Sequence, residues 1–232
     1  MSQISPMQKR IIAASIFIII ILSLVGNSVY QTYFANPVKS MGYKGDASQF
    51  TLPSTENTNY TWVPSDQKVT ILTFFYTKCP GDTGCVLLTV NMGNLADRIT
   101  NKGMTDVTLV SVDFDYINDT MSDLQLYASQ YSKGENFWKF LLGNKNQTDS
   151  LAAEFGFFFQ PSTPVNSTIT LSHGGEDHTD PYVHAMNTYI LDRAGNIRSI
   201  IPGTDWDFPQ IMNSIRFLQS SDWQTGLPSG TT

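Results

Sequence analysis

Residues 69–77, Val-Thr-Ile-Leu-Thr-Phe-Phe-Tyr-Thr, are apolar at most positions and rich in β-branched and aromatic side chains. Such a run reads as a central strand covered on both faces. It passes directly into Cys79-Pro-Gly-Asp-Thr-Gly-Cys85, whose glycine and proline content marks a tight irregular loop. A helix is predicted next, over 86–101, because Leu88, Met92, Leu95 and Ile99 recur at i, i+4, i+7 and i+11 and form one apolar stripe. Strand, loop and helix together constrain the fold and the chemistry at once. The only two cysteines of the chain close this loop, and Cys85 stands at the start of the helix, where unsatisfied N–H groups and partial positive charge favour thiolate over thiol.

The remaining elements follow from the same patterns. Residues 49–52 read as a short edge strand and 53–59 as a loop. Residues 107–112 form a second strand ending at Asp113, and 121–131 a helix with Thr120 and Asp123 as capping candidates. Residues 138–142 and 150–155 read as short helical or turn elements. Residues 157–183 have no clear periodicity, and the cluster Phe155-Gly-Phe-Phe-Phe159 reads as core. Residues 187–192 and 197–201 predict a hairpin across Arg193-Ala-Gly-Asn196, where Gly195 and Asn196 can take positive φ. A last helix covers 208–218. The order β, cysteine loop, α, β, α, β-hairpin, α makes an α/β fold with a mixed central sheet flanked by helices.

The amino terminus adds a segment of another kind. After Lys9 and Arg10, residues 11–25 are almost pure hydrocarbon, and the 20 residues 11–30 would span roughly 30 Å as a helix, enough for a bilayer core. The preceding positive charges place the rest of the chain outside the cytoplasm, a single-pass protein of the cell membrane with an extracytoplasmic domain. A cleaved signal sequence, with Gly26-Asn27-Ser28 as a small-x-small site, is the competing reading, but the run reaches the upper limit of a signal core. The expected organisation is an anchor over 1–30, a tether over 31–47, one domain over 48–220 and a tail over 221–232. A net charge of −6 argues against nucleic acid as a partner. The sequons at Asn59, Asn118, Asn146 and Asn166 agree with export, although a chain this rich in Asn, Ser and Thr produces several by chance.

Exported cysteine pairs are ordinarily structural disulfides. A seven-residue loop, however, gains at most about 2–3 kcal/mol from cross-linking on the chain-entropy estimate. Two functional readings compete with that one. His184, beside the strand-like segment 187–192, is a third candidate ligand, and two thiolates with one imidazole suit copper as Cu(I) or Cu(II). Alternatively, Cys79 and Cys85 cycle between dithiol and disulfide as an extracytoplasmic thiol–disulfide oxidoreductase, which has no need of a histidine ligand. His173 and His178 are further histidines, read as solvated loop residues, and Lys78 stands beside Cys79 where it would favour the thiolate or face water. Asp113 and Asp115 at a strand end read as caps or solvated groups.

Taken in order, Phe50-Thr-Leu52, Thr73-Phe-Phe-Tyr-Thr-Lys-Cys-Pro80, Ser111-Val-Asp113 leading to Asp119-Thr120, Trp138-Lys-Phe-Leu-Leu-Gly143 and His184-x4-Tyr-Ile-Leu-Asp192 with Gly195 resemble the Sco/SenC family. These are copper-binding, thioredoxin-like factors for cytochrome oxidase assembly, and the resemblance covers most of 48–219. It implies a thioredoxin-like fold, copper as the bound metal, and Cys79, Cys85 and His184 as its ligands. It also implies subunit II of a haem–copper oxidase, with its dinuclear copper centre, as the partner. The chain departs from the family pattern in its cysteine loop, where five residues stand between the cysteines instead of three, among them Asp82, a candidate oxygen donor.

Overall fold

The structure, a computed structural model, describes residues 7, 15–26, 41–64, 66–79, 84–162 and 181–220. The chain divides into two units, Met1–Ser40 and Met41–Thr232. In the first, residues 15–26 are helical, and Ile16, Phe17, Leu22 and Leu24 are exposed. Among the described residues no helix is long and apolar enough to cross a membrane. The flanks of the expected anchor, 11–14 and 27–30, lie outside the described residues, as do the carboxy-terminal residues 221–232.

The second unit runs β1 (Gly45–Asp46), β2 (Phe50–Pro53), β3 (Asn59–Trp62), β4 (Val69–Phe75), α1 (Gly84–Asn101), β5 (Val107–Asp113), α2 (Met121–Tyr131), β6 (Trp138–Leu142), α3 (Lys145–Glu154), β7 (Phe159–Pro161), β8 (Tyr182–His184), β9 (Asn187–Leu191), β10 (Asn196–Pro202) and α4 (Phe208–Gln219). Six strands form the main sheet in the order β1-β10-β9-β4-β5-β6. β4, β5 and β6 are parallel, while β9 joins β4 antiparallel and β10 and β1 continue that edge. Every residue of β4 and β5 is buried, as expected of central strands whose parallel crossovers carry helices over the sheet. α1 is that crossover between β4 and β5, and its buried face includes Leu88, Met92, Leu95 and Ile99, the stripe read from the sequence. This is the mixed sheet with flanking helices expected from the order of elements.

Several boundaries differ, and the reasons are physical. Residues 138–142 are a strand, not a helix or turn: Trp138, Phe140 and Leu141 are buried where β6 pairs with β5, and the Trp138 Nε1–H donates to Ser111 Oγ at 3.0 Å. The helix expected over 150–155 begins five residues earlier, because Asn144 and Gln147 form a reciprocal capping box. The short edge strand expected over 49–52 is β2, displaced by one residue and paired with β3 in a separate two-stranded sheet. The β9–β10 hairpin forms as expected, but of its turn residues only Gly195 takes positive φ, at +87°. A Cβ there would also meet Pro64 Cβ at 2.6 Å, so glycine is required twice over. α2 carries the expected capping box between Thr120 and Asp123.

Candidate metal-binding site

β4 and α1 put Cys85 where the sequence places it, in the first turn of a helix that packs on β4 and β5. Gly84 enters α1 with φ +40°, a conformation that L side chains rarely adopt. Cys85 is fully buried and Cys79 is 9% exposed, so neither thiol stands on the exposed loop that the flanking Thr, Lys, Pro and Gly suggest. The first turn is braced from beneath. Thr89 Oγ1 donates to the Cys85 carbonyl at 3.0 Å, and Tyr127 Oη donates to Thr89 Oγ1 at 2.9 Å. Burial raises the Tyr127 hydroxyl's pKa, the Thr89 bond offsets part of that rise, and the nearby Tyr131, Cys85 and Cys79 raise it further. Both cysteines therefore lie within electrostatic reach of one buried hydroxyl.

β8 brings His184 to the same place from the far end of the chain. Cys85 Sγ and His184 Nε2 are 3.7 Å apart, while Nδ1 lies 2.9 Å from the Ala185 carbonyl. A carbonyl only accepts, so Nδ1 carries a proton, and in the neutral form of the ring Nε2 is then the lone-pair nitrogen facing the sulfur. That is the tautomer a metal-binding imidazole needs. The ring sits among aromatics, edge-on to Tyr76 at 5.8 Å and tilted against Phe114 at 5.3 Å between centroids.

Residues 113–119 grip both approaches to this site. Asp119 accepts from the Thr77 N–H at 2.7 Å and the Thr77 hydroxyl at 2.6 Å, and pairs with Lys78 at 3.1 Å. Lys78 also reaches Asp123 and the Asn118 carbonyl. Asp115 accepts from Tyr182 Oη at 2.7 Å and from Asn118, fixing β8 two residues before His184. Asp113 and Asp115 are buried and not solvated, and each caps local backbone as read from the sequence, accepting respectively from the Asp115 N–H at 2.9 Å and the Asn118 N–H at 3.0 Å. Burial, and after it the charge of Asp119, raises the Asp113 carboxyl well above its ordinary range. The aromatic cluster is core at Phe155 and Phe157, which pack on Phe74.

Two of the three expected ligands are therefore brought together, Cys85 and His184. Among the described residues no three His, Cys, Asp or Glu side chains converge as a metal site. Asp82, His173 and His178 lie outside the described residues. Tyr182, Asp115 and Asp119 escape the sequence reading as supports of the site. Only Tyr182 leaves a signal there: it stands two positions before His184, on the same face of a strand.

Residues 41–219 match the SCO1/SenC family. No curated protein sequence matches the chain. Among solved structures, it is similar to a SCO1/SenC family lipoprotein from Bacillus anthracis str. Ames, with 17% identity, a TM-score of 0.62, and 76% of this chain and 96% of that one covered. It is also similar to Arabidopsis thaliana ScoI with copper bound, at 18% identity and TM-score 0.59 over 75% and 98% of the two chains. BsSco, a member of the Sco family of cytochrome c oxidase assembly proteins with a disulfide switch, matches at 18% identity and TM-score 0.59 over 78% and 99%. At these identities the structures speak for a shared fold.

Proposed function

This chain belongs to the SCO1/SenC family, and on that premise we propose that it is a membrane-tethered extracytoplasmic copper carrier, binding one copper through Cys79, Cys85 and His184 for assembly of the dinuclear copper centre of a cytochrome oxidase. The observation that carries the reading is the 3.7 Å approach of Cys85 Sγ to His184 Nε2, with Nδ1 tied to the Ala185 carbonyl. With bonds of ~2.3 Å to sulfur and ~2.0 Å to nitrogen, as in zinc sites, a metal bridging these atoms subtends about 120°. That angle suits a three-coordinate Cu(I) ion whose third ligand is the Cys79 thiolate. A soft donor pair with one imidazole is the right chemistry for Cu(I). The copper in Arabidopsis thaliana ScoI and the oxidase-assembly role of BsSco support the same cargo and destination.

Loading expels the thiol protons, so the apparent affinity rises with pH until both thiols are ionised. The helix N-terminus at Cys85 lowers the cost of that ionisation. The apolar helical residues 15–26 support tethering to a membrane, and subunit II of a haem–copper oxidase is the recipient this reading names.

Copper titration of the reduced full chain, with copper counted after desalting, tests the proposal. One retained copper per chain, lost in Cys79→Ser, Cys85→Ser and His184→Ala, is the expected result. The disulfide switch of BsSco favours a second reading, thiol–disulfide exchange by the same cysteine pair. No retained copper, together with a readily reduced Cys79–Cys85 disulfide, would replace the first reading with the second.

A further inference from the structure

α1 ends far from the cysteines in a concentration of positive charge that the copper reading does not use. Arg98 lies thirteen positions beyond Cys85, about 20 Å along the helix. There Arg98 and Lys102 meet Arg216 of α4 around a cavity of about 400 Å³, with Phe208, Met212 and Asn213 also in its wall and no carboxylate among its lining residues. The volume falls within the range of small-ligand sites.

Six other cations of the domain are paired, while among the described residues Lys44 has no carboxylate partner and Arg193 donates to carbonyls. Lys68, Lys78, Lys133, Lys139, Lys145 and Arg198 each reach a carboxylate. Among the described residues no carboxylate pairs with Arg98, Lys102 or Arg216. Asp97, the acidic neighbour of Arg98, is taken by Lys133 at 2.6 Å, and Asp207 is turned to cap α4 on the Gln210 N–H at 3.0 Å. All three cations face solvent at the C-terminal ends of α1 and α4, where Arg98 and Arg216 complement the helix dipoles, and together they give the cavity wall a positive potential that favours an anion. The Arg98 guanidinium lies over the Phe208 ring, 4.6 Å from its centroid, a cation–π contact at the cavity wall.

We propose that this cavity binds an organic phosphate, its phosphate oxygens on Arg98, Arg216 and Lys102 and its carbon skeleton on Phe208 and Met212. Guanidinium forks match phosphate bidentately, and the ammonium adds a point charge. One chemistry has two sources, a soluble phosphomonoester or the headgroup of an anionic phospholipid.

Trp206, whose ring lies 5.8 Å from Phe208, is a built-in reporter. The full chain in zwitterionic micelles is titrated with glycerol 3-phosphate, and separately with phosphatidylglycerol or phosphatidylcholine added to the micelles. Tryptophan fluorescence is read against a Trp206→Phe control. A saturable Trp206 signal with glycerol 3-phosphate identifies a soluble ligand, and one confined to phosphatidylglycerol identifies a headgroup. In both cases Arg98→Gln/Arg216→Gln should weaken binding at least tenfold. No saturable signal with either phosphate, an equal signal with phosphatidylcholine, or an unchanged response of the double variant would overturn the proposal. Copper retention by the double variant is expected to equal that of the parent, so this test and the copper test fail independently.

Discussion

The two side chains that meet at 3.7 Å are held by unlike parts of the molecule. Cys85 belongs to an 18-residue helix docked on the two most buried strands of the sheet. His184 ends a three-residue strand that, among the described residues, pairs with β7 in a sheet of two. A two-stranded sheet is marginal by itself, so its place depends on what touches it. Here that is the Tyr182–Asp115 hydrogen bond and the rings of Tyr76 and Phe114. The cysteine arm is set by the global fold, and the histidine arm by a local latch.

Phe74 is where the arms share support, and its loss should have the largest effect. The ring is fully buried in β4, stacked on Phe157 at 4.3 Å and in edge contact with Tyr189. Phe74→Ala should cost about 3–5 kcal/mol, read as a lower urea midpoint. Both arms should melt in that one transition. Two separated transitions in the variant would mean the arms are not coupled through the core.

Asp119→Ala comes next and acts first on the cysteine arm. It strands the Thr77 N–H and hydroxyl and releases Lys78. Breaking such charge-assisted bonds costs about 2–3 kcal/mol. Alkylation of the thiols, followed by mass spectrometry, should show Cys79 labelled faster while Cys85 keeps its parent rate. Equal acceleration of both thiols would show that Asp119 braces the fold and not the approach to Cys79.

Tyr182→Phe acts on the other arm and should cost only about 1 kcal/mol, since the ring remains and Asn118 still donates to Asp115. Amide exchange at 182–184 should quicken while α1 stays protected. Unchanged exchange at β8 would remove the latch from the account.

This asymmetry also governs what the sequence discloses. The strand at 69–75, the stripe of α1 and the capped helix α2 are legible because each is a local pattern: continuous apolarity, a 3.6-residue period, a Thr120–Asp123 box. Cys85 inherits that legibility. β6 is not legible, because Trp138-Lys-Phe-Leu-Leu142 is too short for its period to be separated from a helical turn, and only its neighbour β5 decides the matter. His184 is found in the sequence through family order and spacing, not through its own surroundings. Asp115 and Asp119 stay hidden for the same reason: their partners, Tyr182 and Thr77, are 67 and 42 residues away. Residues 80–83 of the cysteine loop lie outside the described residues, among which no three candidate ligands converge.

Asp113 stands between the arms and yields the smallest and most specific effect. Its Oδ1 accepts from the Asp115 N–H at 2.9 Å, and among the described residues its Oδ2 has no hydrogen-bond partner. Burial, then Asp119, raises its pKa well above the ordinary 3.8, so the folded protein keeps a proton that the unfolded chain releases. The unfolded state therefore binds fewer protons between those two values, and stability falls as pH climbs from about 4 through the folded pKa. Asp113→Asn removes that dependence while keeping an acceptor for Asp115 and adding an N–H₂ directed at the Asp119 side. Its melting temperature should exceed the parent's by a few degrees at pH 7.5, and the gap should close as the pH approaches 4. A gap independent of pH would mean that the gain comes from the new amide donor and not from relief of a buried carboxyl.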